Sequence, residues 1–340
     1  MKGEWAVLGA GSWGTALACL LAMSGLPVRL WARRPELARD IDISRQNVHY
    51  LPGIHLPEQL LATADLGIAL EGRSHVIVAV PSQHLRVVGR MALSCMSPGT
   101  LVLTASKGIE VPTLMRMSEV LSEELQGLVA GVAAISGPNF AEEVARQVPT
   151  ATVVASPDLE VARTFQRSLM APHFRVYTNT DIVGVEIGGA LKNIYAIGAG
   201  LIDGMGLGHN TRAAFMTRAL SELVRLGLAL GARPSTFSGL SGMGDLVLTA
   251  TGNLSRNRQC GMELGKGRRL RDILENSRMV VEGVETTRAA SSLARRHGVE
   301  MPIVQGVYAI LFQDADPASV LQDLMTRDPK AEMEDLPAEH

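Results

Sequence analysis

Cysteine is scarce and scattered in this chain. Cys19, Cys95 and Cys260 are the only three in 340 residues. None forms a CxxC pair, and thiols so placed make no disulfide framework, which points to a reducing compartment. A strong excess of either charge is also missing. The 32 Lys and Arg stand against 34 Asp and Glu, so nucleic acid and anionic membranes are argued against as main partners. None of the eight histidines falls at zinc-ligand spacing with a cysteine or carboxylate, and no metal is expected. No segment supplies the ~18 uninterrupted apolar residues of a membrane span. Met1, Lys2 and "LACLLAM" imitate a secretory leader, but Glu4 and the glycines of "GAGSWG" interrupt it. The expectation is a soluble cytoplasmic protein without integral membrane contact.

What is present is an alternation. Short β-branched runs, "WAVLG" (5 to 9), "PVRLWA" (27 to 32), "VIVAV" (76 to 80), "TLVLTA" (100 to 105), "VAAIS" (132 to 136) and "ATVVAS" (151 to 156), are separated by helical patterns such as 12 to 24 and 112 to 125. That order predicts a doubly wound, mostly parallel α/β sheet. From about Asp181 the strand pattern stops, and 181 to 201, 210 to 230, 255 to 264 and 285 to 297 read as helices. The predicted division is a dinucleotide-binding domain over 1–180, a helical substrate domain over 181–328 and a mobile tail over 329–340.

"VLGAGSWGTALA" sets Gly9, Gly11 and Gly14 in G-x-G-x-x-G spacing between a predicted strand and a predicted helix. Glycine there allows the tight turn, the approach of backbone to a pyrophosphate and close helix packing, with the phosphates on helix N–H groups. NAD-selective folds usually carry Asp or Glu about 20 residues further on, yet no acidic residue lies between Gly14 and Glu36. Arg33 and Arg34 end the second strand instead, and guanidinium groups suit a 2′-phosphate. NADPH is therefore favoured over NADH.

Ligands of such sheets bind outside the strands' carboxyl ends. Lys107 in "LTASKGIE" falls there, as do Gly137 and Asn139 in "ISGPNFAEEV", although position alone does not separate a ligand-facing lysine from a surface one. In the helical half, "GLSGMGDLVLTATGNLSRNRQCGMEL" is dense in small polar residues around Asp245. Asn253 or Ser255 can cap a helix opening on Arg256, Asn257 and Arg258, a natural phosphate site. Glu282 in "MVVEG" carries no signal by itself.

"IGGALKNIYAIGAGLI" (187 to 202) places Lys192 in an apolar run. The lysine could snorkel or pair with Glu186. Gly188, Gly189, Gly198 and Gly200, however, each weaken a helix by up to about 1 kcal/mol relative to Ala, which implies close approach of another helix or a ligand. A lysine buried there has its ammonium destabilised towards neutral pH and becomes a candidate acid or base.

Taken together, "GAGSWGTALA", "NVHYLPGIHLP", "VIVAVPSQ", "SKGIE", "SGPNFAEEV", "EIGGALKNIYAIGAGLIDG", "GLSGMGDLVLTATG", "SRNRQCG" and "VVEGVETT" resemble the bacterial NAD(P)-dependent glycerol-3-phosphate dehydrogenases. The resemblance implies a Rossmann-like domain followed by an all-α domain similar to the C-terminal domain of 6-phosphogluconate dehydrogenase. It implies reversible reduction of dihydroxyacetone phosphate to sn-glycerol 3-phosphate for glycerophospholipid synthesis. Ser12, Trp13, Arg33, Arg34, Lys107, Ala141, Arg256, Val280 and Glu282 would attend the dinucleotide. Lys107, Gly137, Asn139, Asp245, Ser255, Arg256 and Asn257 would hold the substrate. Lys192 would carry the proton, with Asp245 orienting Lys192 or the substrate hydroxyls. Asn139 stands where Ser or Thr is frequent, which leaves the detail of that contact open. Rival readings are a dehydrogenase of a β-hydroxy acid or ketopantoate, from which the "SRNR" stretch with Asp245 discriminates, and an NADPH-binding regulator without catalysis, which has no need of a proton donor and phosphate site in its second domain. A homodimer is expected from the apolar, glycine-rich helix.

Overall fold

The computed structural model describes residues 4–275, 280–329 and 331–332. Met1, Lys2, Met279, Lys330 and residues 333–340, most of the expected tail, lie outside the described residues. One sheet contains β1 (Trp5–Leu8), β2 (Val28–Trp31), β3 (Leu60–Thr63), β4 (His75–Val78), β5 (Thr100–Thr104), β6 (Val129–Ser136), β7 (Thr150–Ala155) and β8 (Phe174–Asn179). Its order is β3-β2-β1-β4-β5-β6-β7-β8. All neighbours are parallel except β6 and β7. The helices between the strands are α1 (Ser12–Met23), α2 (Pro35–Ser44), α3 (Leu66–Leu70), α4 (Leu85–Leu93), α5 (Met117–Glu124), α6 (Ala141–Ala145) and α7 (Leu159–Leu169).

Both faces of the sheet are buried. In β1, Trp5 and Val7 join an apolar cluster with residues of α1 and α7, while Ala6 and Leu8 join one with α4 and α5. With no solvated face to alternate with, the central strands read as unbroken apolar runs. The edge strands β3 and β8 are not among those expected. β8 alternates buried Phe174 and Val176 with exposed Arg175 and Tyr177, the period-two pattern of a half-solvated strand.

The helix expected over 112 to 125 is confined to α5. Its first turn is fixed by the Arg116 N–H donating to Glu119 at 2.8 Å. Ahead of it, the side chain of Gln83 donates to the Ile109 carbonyl at 2.8 Å and accepts the Val111 N–H at 3.0 Å. Backbone groups satisfied this way do not need a helix, and the segment stays a loop.

Beyond β8 the described residues are helical: α8 (Ile182–Gly204), α9 (His209–Ala229), α10 (Pro234–Phe237), α11 (Asp245–Thr251), α12 (Arg256–Gly265), α13 (Leu270–Glu275), α14 (Glu282–His297), α15 (Pro302–Phe312) and α16 (Pro317–Met325). By length and composition α8 could cross a membrane, but 94% of its most apolar window is buried inside the protein. The glycines explain how. A Cβ on Gly200 would lie 2.0 Å from the Arg258 carbonyl oxygen, and one on Gly261 2.0 Å from that of Ile197. Backbones of α8 and α12 thus touch where a methyl group would hold them apart. Gly198 likewise admits the ring of Phe215 and Gly189 the hydroxyl of Ser136.

Candidate functional site

Strand order reverses between β1 and β4, and ligands of doubly wound sheets bind in the crevice outside such a point. A cleft of about 540 Å3 opens there. It runs from Arg33, Arg34 and Tyr50, past Gly9, Gly11, Ser12 and Trp13, to Lys107, Asn139, Lys192 and Arg256.

The glycine turn is shaped for a pyrophosphate. Gly9 has φ +117°, where a Cβ would strike the Ala79 carbonyl oxygen at 2.5 Å, and a Cβ on Gly14 would meet the Gly9 oxygen at 1.9 Å. Gly11 has nothing within 4 Å, so its backbone faces open cleft at the start of α1. Buried Asn47 braces the turn, donating to the Ala10 carbonyl at 2.9 Å and the Thr15 hydroxyl at 2.8 Å. The indole N–H of Trp13 is buried without a partner among the described residues. At the far end Arg34 lies over the ring of Tyr50, 5.8 Å from its centroid, and donates to its hydroxyl at 3.3 Å. The cradle, the orphaned donor and the terminal guanidiniums fit a dinucleotide.

Where the sheet meets α8, two lysines share one carboxylate. Lys192 Nζ lies 2.5 Å from Asp245 Oδ1 and 2.8 Å from Thr249 Oγ1. Lys107 Nζ lies 2.7 Å from Asp245 Oδ2, 3.0 Å from Asn139 Oδ1 and 3.1 Å from the Gly137 carbonyl. An ammonium has three donors. Lys107 uses all three within the protein, whereas Lys192 uses two and keeps one uncommitted among the described residues. Burial pushes the Lys192 pKa down to about 8; the charge of Lys107 adds to the fall and that of Asp245 opposes it. Asp245 is pushed up by its own burial, but the charges of both lysines outweigh this and leave it below its ordinary value. Two ammonium groups and one carboxylate carry a net positive charge, which suits an anionic ligand or a developing alkoxide.

On the opposite wall, Ser255 caps α12 by accepting the Arg258 N–H at 3.2 Å. Arg256 donates to the Val280 carbonyl at 3.0 Å. Asn257 bridges two elements: its amide donates to Asn193 Oδ1 at 2.9 Å and its oxygen accepts the Gly283 N–H at 2.9 Å. Glu282 accepts from the backbone and hydroxyl of Ser82 at 3.1 and 2.5 Å. Burial raises its pKa against the pull of those bonds and of Arg256.

Most candidate residues line this one cleft, including Ala141, Ser255, Asn257, Val280 and Glu282. Gly14, Gly137 and Asp245 do not: Gly14 packs α1 on the turn, Gly137 gives its carbonyl to Lys107, and Asp245 is wholly buried beneath the lysines. Of the two orientations considered for Asp245, the geometry has it bonded to lysine. Glu186 takes no part with Lys192; it accepts from Arg116 at 2.5 Å and from the Ser118 backbone and hydroxyl at 2.8 and 2.5 Å. Thr249, Tyr50 and Asn193 were not among the candidates. Thr249 had a signal, since it follows Asp245 by four residues on one helix. Tyr50 and the α4 wall of Val87 and Met91 had none, because only folding brings them to the cleft.

Two family models cover the chain. Residues 4–162 match the N-terminus, and residues 181–322 the C-terminus, of NAD-dependent glycerol-3-phosphate dehydrogenase. A relative from Geobacter metallireducens named glycerol-3-phosphate dehydrogenase, NAD(P)+, is 54% identical over 96% of this chain and 98% of its own length. One of the same name from Geobacillus thermodenitrificans is 50% identical over 97% and 96%. The crystal structure of glycerol-3-phosphate dehydrogenase from Coxiella burnetii superposes with TM-score 0.92 at 40% identity, over 96% of this chain and 99% of that one. A ketopantoate reductase from Ralstonia eutropha shares the fold alone, with TM-score 0.61 and 16% identity over 95% and 99%.

Proposed function

Because the chain belongs to the NAD-dependent glycerol-3-phosphate dehydrogenase family, we propose that Lys192 is the proton carrier of its reaction. The chain is an oxidoreductase that interconverts dihydroxyacetone phosphate and sn-glycerol 3-phosphate with NAD(P)H. When bound, the reduced nicotinamide supplies the hydride. The glycine turn, Ser12 and Trp13 would hold the pyrophosphate, Arg33 and Arg34 the adenosine end, and Ala141, Val280 and Glu282 the reactive end.

The ketone oxygen gains negative charge as its carbon is reduced. Lys192 meets that charge with its uncommitted N–H and gives up the proton; in the reverse direction the neutral amine takes it back. A pKa near 8 keeps both forms within reach. Lys107, its donors all occupied, acts as a fixed cation beside the oxygen. Ser255, Arg256 and Asn257 hold the phosphate, turning the binding of a remote group into alignment of the carbonyl. The observation that carries this reading is a buried ammonium lining the cleft that uses only two of its three donors among the described residues. Lys192→Met should cut turnover with dihydroxyacetone phosphate by roughly a hundredfold or more while the dinucleotide still binds. Turnover close to that of the unaltered enzyme would reject the assignment.

The two arginines support a preference for NADPH, and the reaction supports a role in glycerophospholipid synthesis in the cytoplasm. The change at Asp181 from strand-bearing to helical chain supports division into cofactor and substrate domains. A homodimer is also proposed, on a surface other than α8, since that helix is consumed within one chain. Sedimentation as a single 36.3 kDa species would reject it.

A further inference from the structure

Asn139 presents its oxygen, not its nitrogen, to Lys107, and a residue outside the cleft accounts for that choice. Thr152, on β7, is fully buried and does not line the cleft. Its hydroxyl oxygen lies 2.8 Å from the Ser136 carbonyl and 2.9 Å from Asn139 Nδ2. A carbonyl can only accept, so the Thr152 proton is committed to Ser136. The hydroxyl oxygen is then left as an acceptor, and of the two ends of the Asn139 amide only the nitrogen can satisfy it. The amide oxygen is thereby turned towards Lys107 Nζ at 3.0 Å.

We propose that Thr152 is a positioning residue for Lys107, acting through Asn139. The inference rests on the site reading above and concerns a residue that reading does not include. The polarity of the chain runs from the Ser136 carbonyl through Thr152 and Asn139 to the ammonium, and each link permits one direction only. Reversing the amide would set an NH2 group against a cation and leave Lys107 one acceptor short. Its freed N–H would then turn to the cleft and compete with Lys192 for the ketone oxygen.

A double-mutant cycle tests this, because a residue acting only through another has no effect once that other is gone. Thr152→Val keeps the shape and removes the hydroxyl. It should lower kcat/KM for dihydroxyacetone phosphate about tenfold, the scale of one lost hydrogen bond to a charged group, and Thr152→Ser should restore it to within about twofold. In an Asn139→Ala background, Thr152→Val should change nothing further. Equal losses in both backgrounds, or a serine variant no better than valine, would overturn the proposal while leaving the site reading intact. An Asn139→Ala enzyme with unaltered kinetics would instead remove Asn139 from the site, and Thr152 with it. Thermal midpoints report folding, and Thr152→Ala replaces valine in the same cycle if the valine variant does not fold.

Discussion

The carboxylate of Asp245 meets the ammonium of Lys192 at 2.5 Å with almost no exposure on either side. A charge so placed opposes the desolvation that lowers the lysine pKa. Replacing it with a neutral amide leaves two buried cations facing each other, an arrangement that strongly disfavours at least one of them. Asp245→Asn should therefore move the titration of Lys192 to lower pH and slow reduction near neutrality. The pH dependence of kcat/KM reads this directly, and an unmoved profile would contradict it.

In the unaltered enzyme the two reaction directions should respond oppositely to pH. Ketone reduction needs the ammonium, so its kcat/KM should fall as pH rises through about 8. Alcohol oxidation needs the free amine and should fall as pH drops through the same region. Parallel profiles in the two directions would show that a group other than Lys192 governs proton transfer.

Arg256 opens α12 and lines the cleft, its guanidinium bonded to the Val280 carbonyl, where a phosphate would gain from both the charge and the helix N–H groups. Arg256→Ala should raise KM for dihydroxyacetone phosphate at least about tenfold, the worth of one charge-assisted hydrogen bond. It should matter far less with unphosphorylated dihydroxyacetone. An equal loss on both ketones would place the arginine elsewhere in the mechanism.

Arg33 and Arg34 line the cleft at the end proposed to hold the adenosine, and a 2′-phosphate is the feature they would distinguish. Changing both to alanine should raise KM for NADPH by about tenfold or more and leave that for NADH nearly unchanged. Steady-state kinetics with each cofactor decides, and equal KM values before mutation would already refute the preference.

Much of this architecture was legible because it is written locally. The strand–glycine–helix unit at 5–23 shows its turn chemistry in consecutive residues, and β1, β2, β4, β5, β6 and β7 are apolar because both sheet faces are covered. β3 and β8 are half-solvated edges, with a weaker compositional mark. The shape of the site was less visible. Lys107, Lys192 and Asp245 stand far apart in the chain, and nothing in their spacing says that one carboxylate serves both lysines or that one ammonium is saturated. The glycines of α8 announced close packing but not its partners, which proved to be several: Ser241 for Gly188, Ser136 for Gly189, Phe215 for Gly198, and for Gly200 the backbone of α12, with glycines of its own.

That partnership gives a stability prediction. Gly200→Ala drives a methyl group to 2.0 Å from the backbone oxygen of Arg258, where no flexible side-chain end can yield. The cost should be about 1–3 kcal/mol or more, measured by denaturant unfolding, and an unchanged midpoint would mean that the two helices separate freely.

The same contact, with the Asn193–Asn257 bond beside it, ties the helix bearing Lys192 to the helix start proposed to hold the phosphate. On that proposal the two ends of the substrate would be measured against a ruler of fixed length. A phosphorylated ketone with one carbon more or fewer between phosphate and carbonyl would then carry its carbonyl past the lysine, so two backbones in contact would select for that spacing.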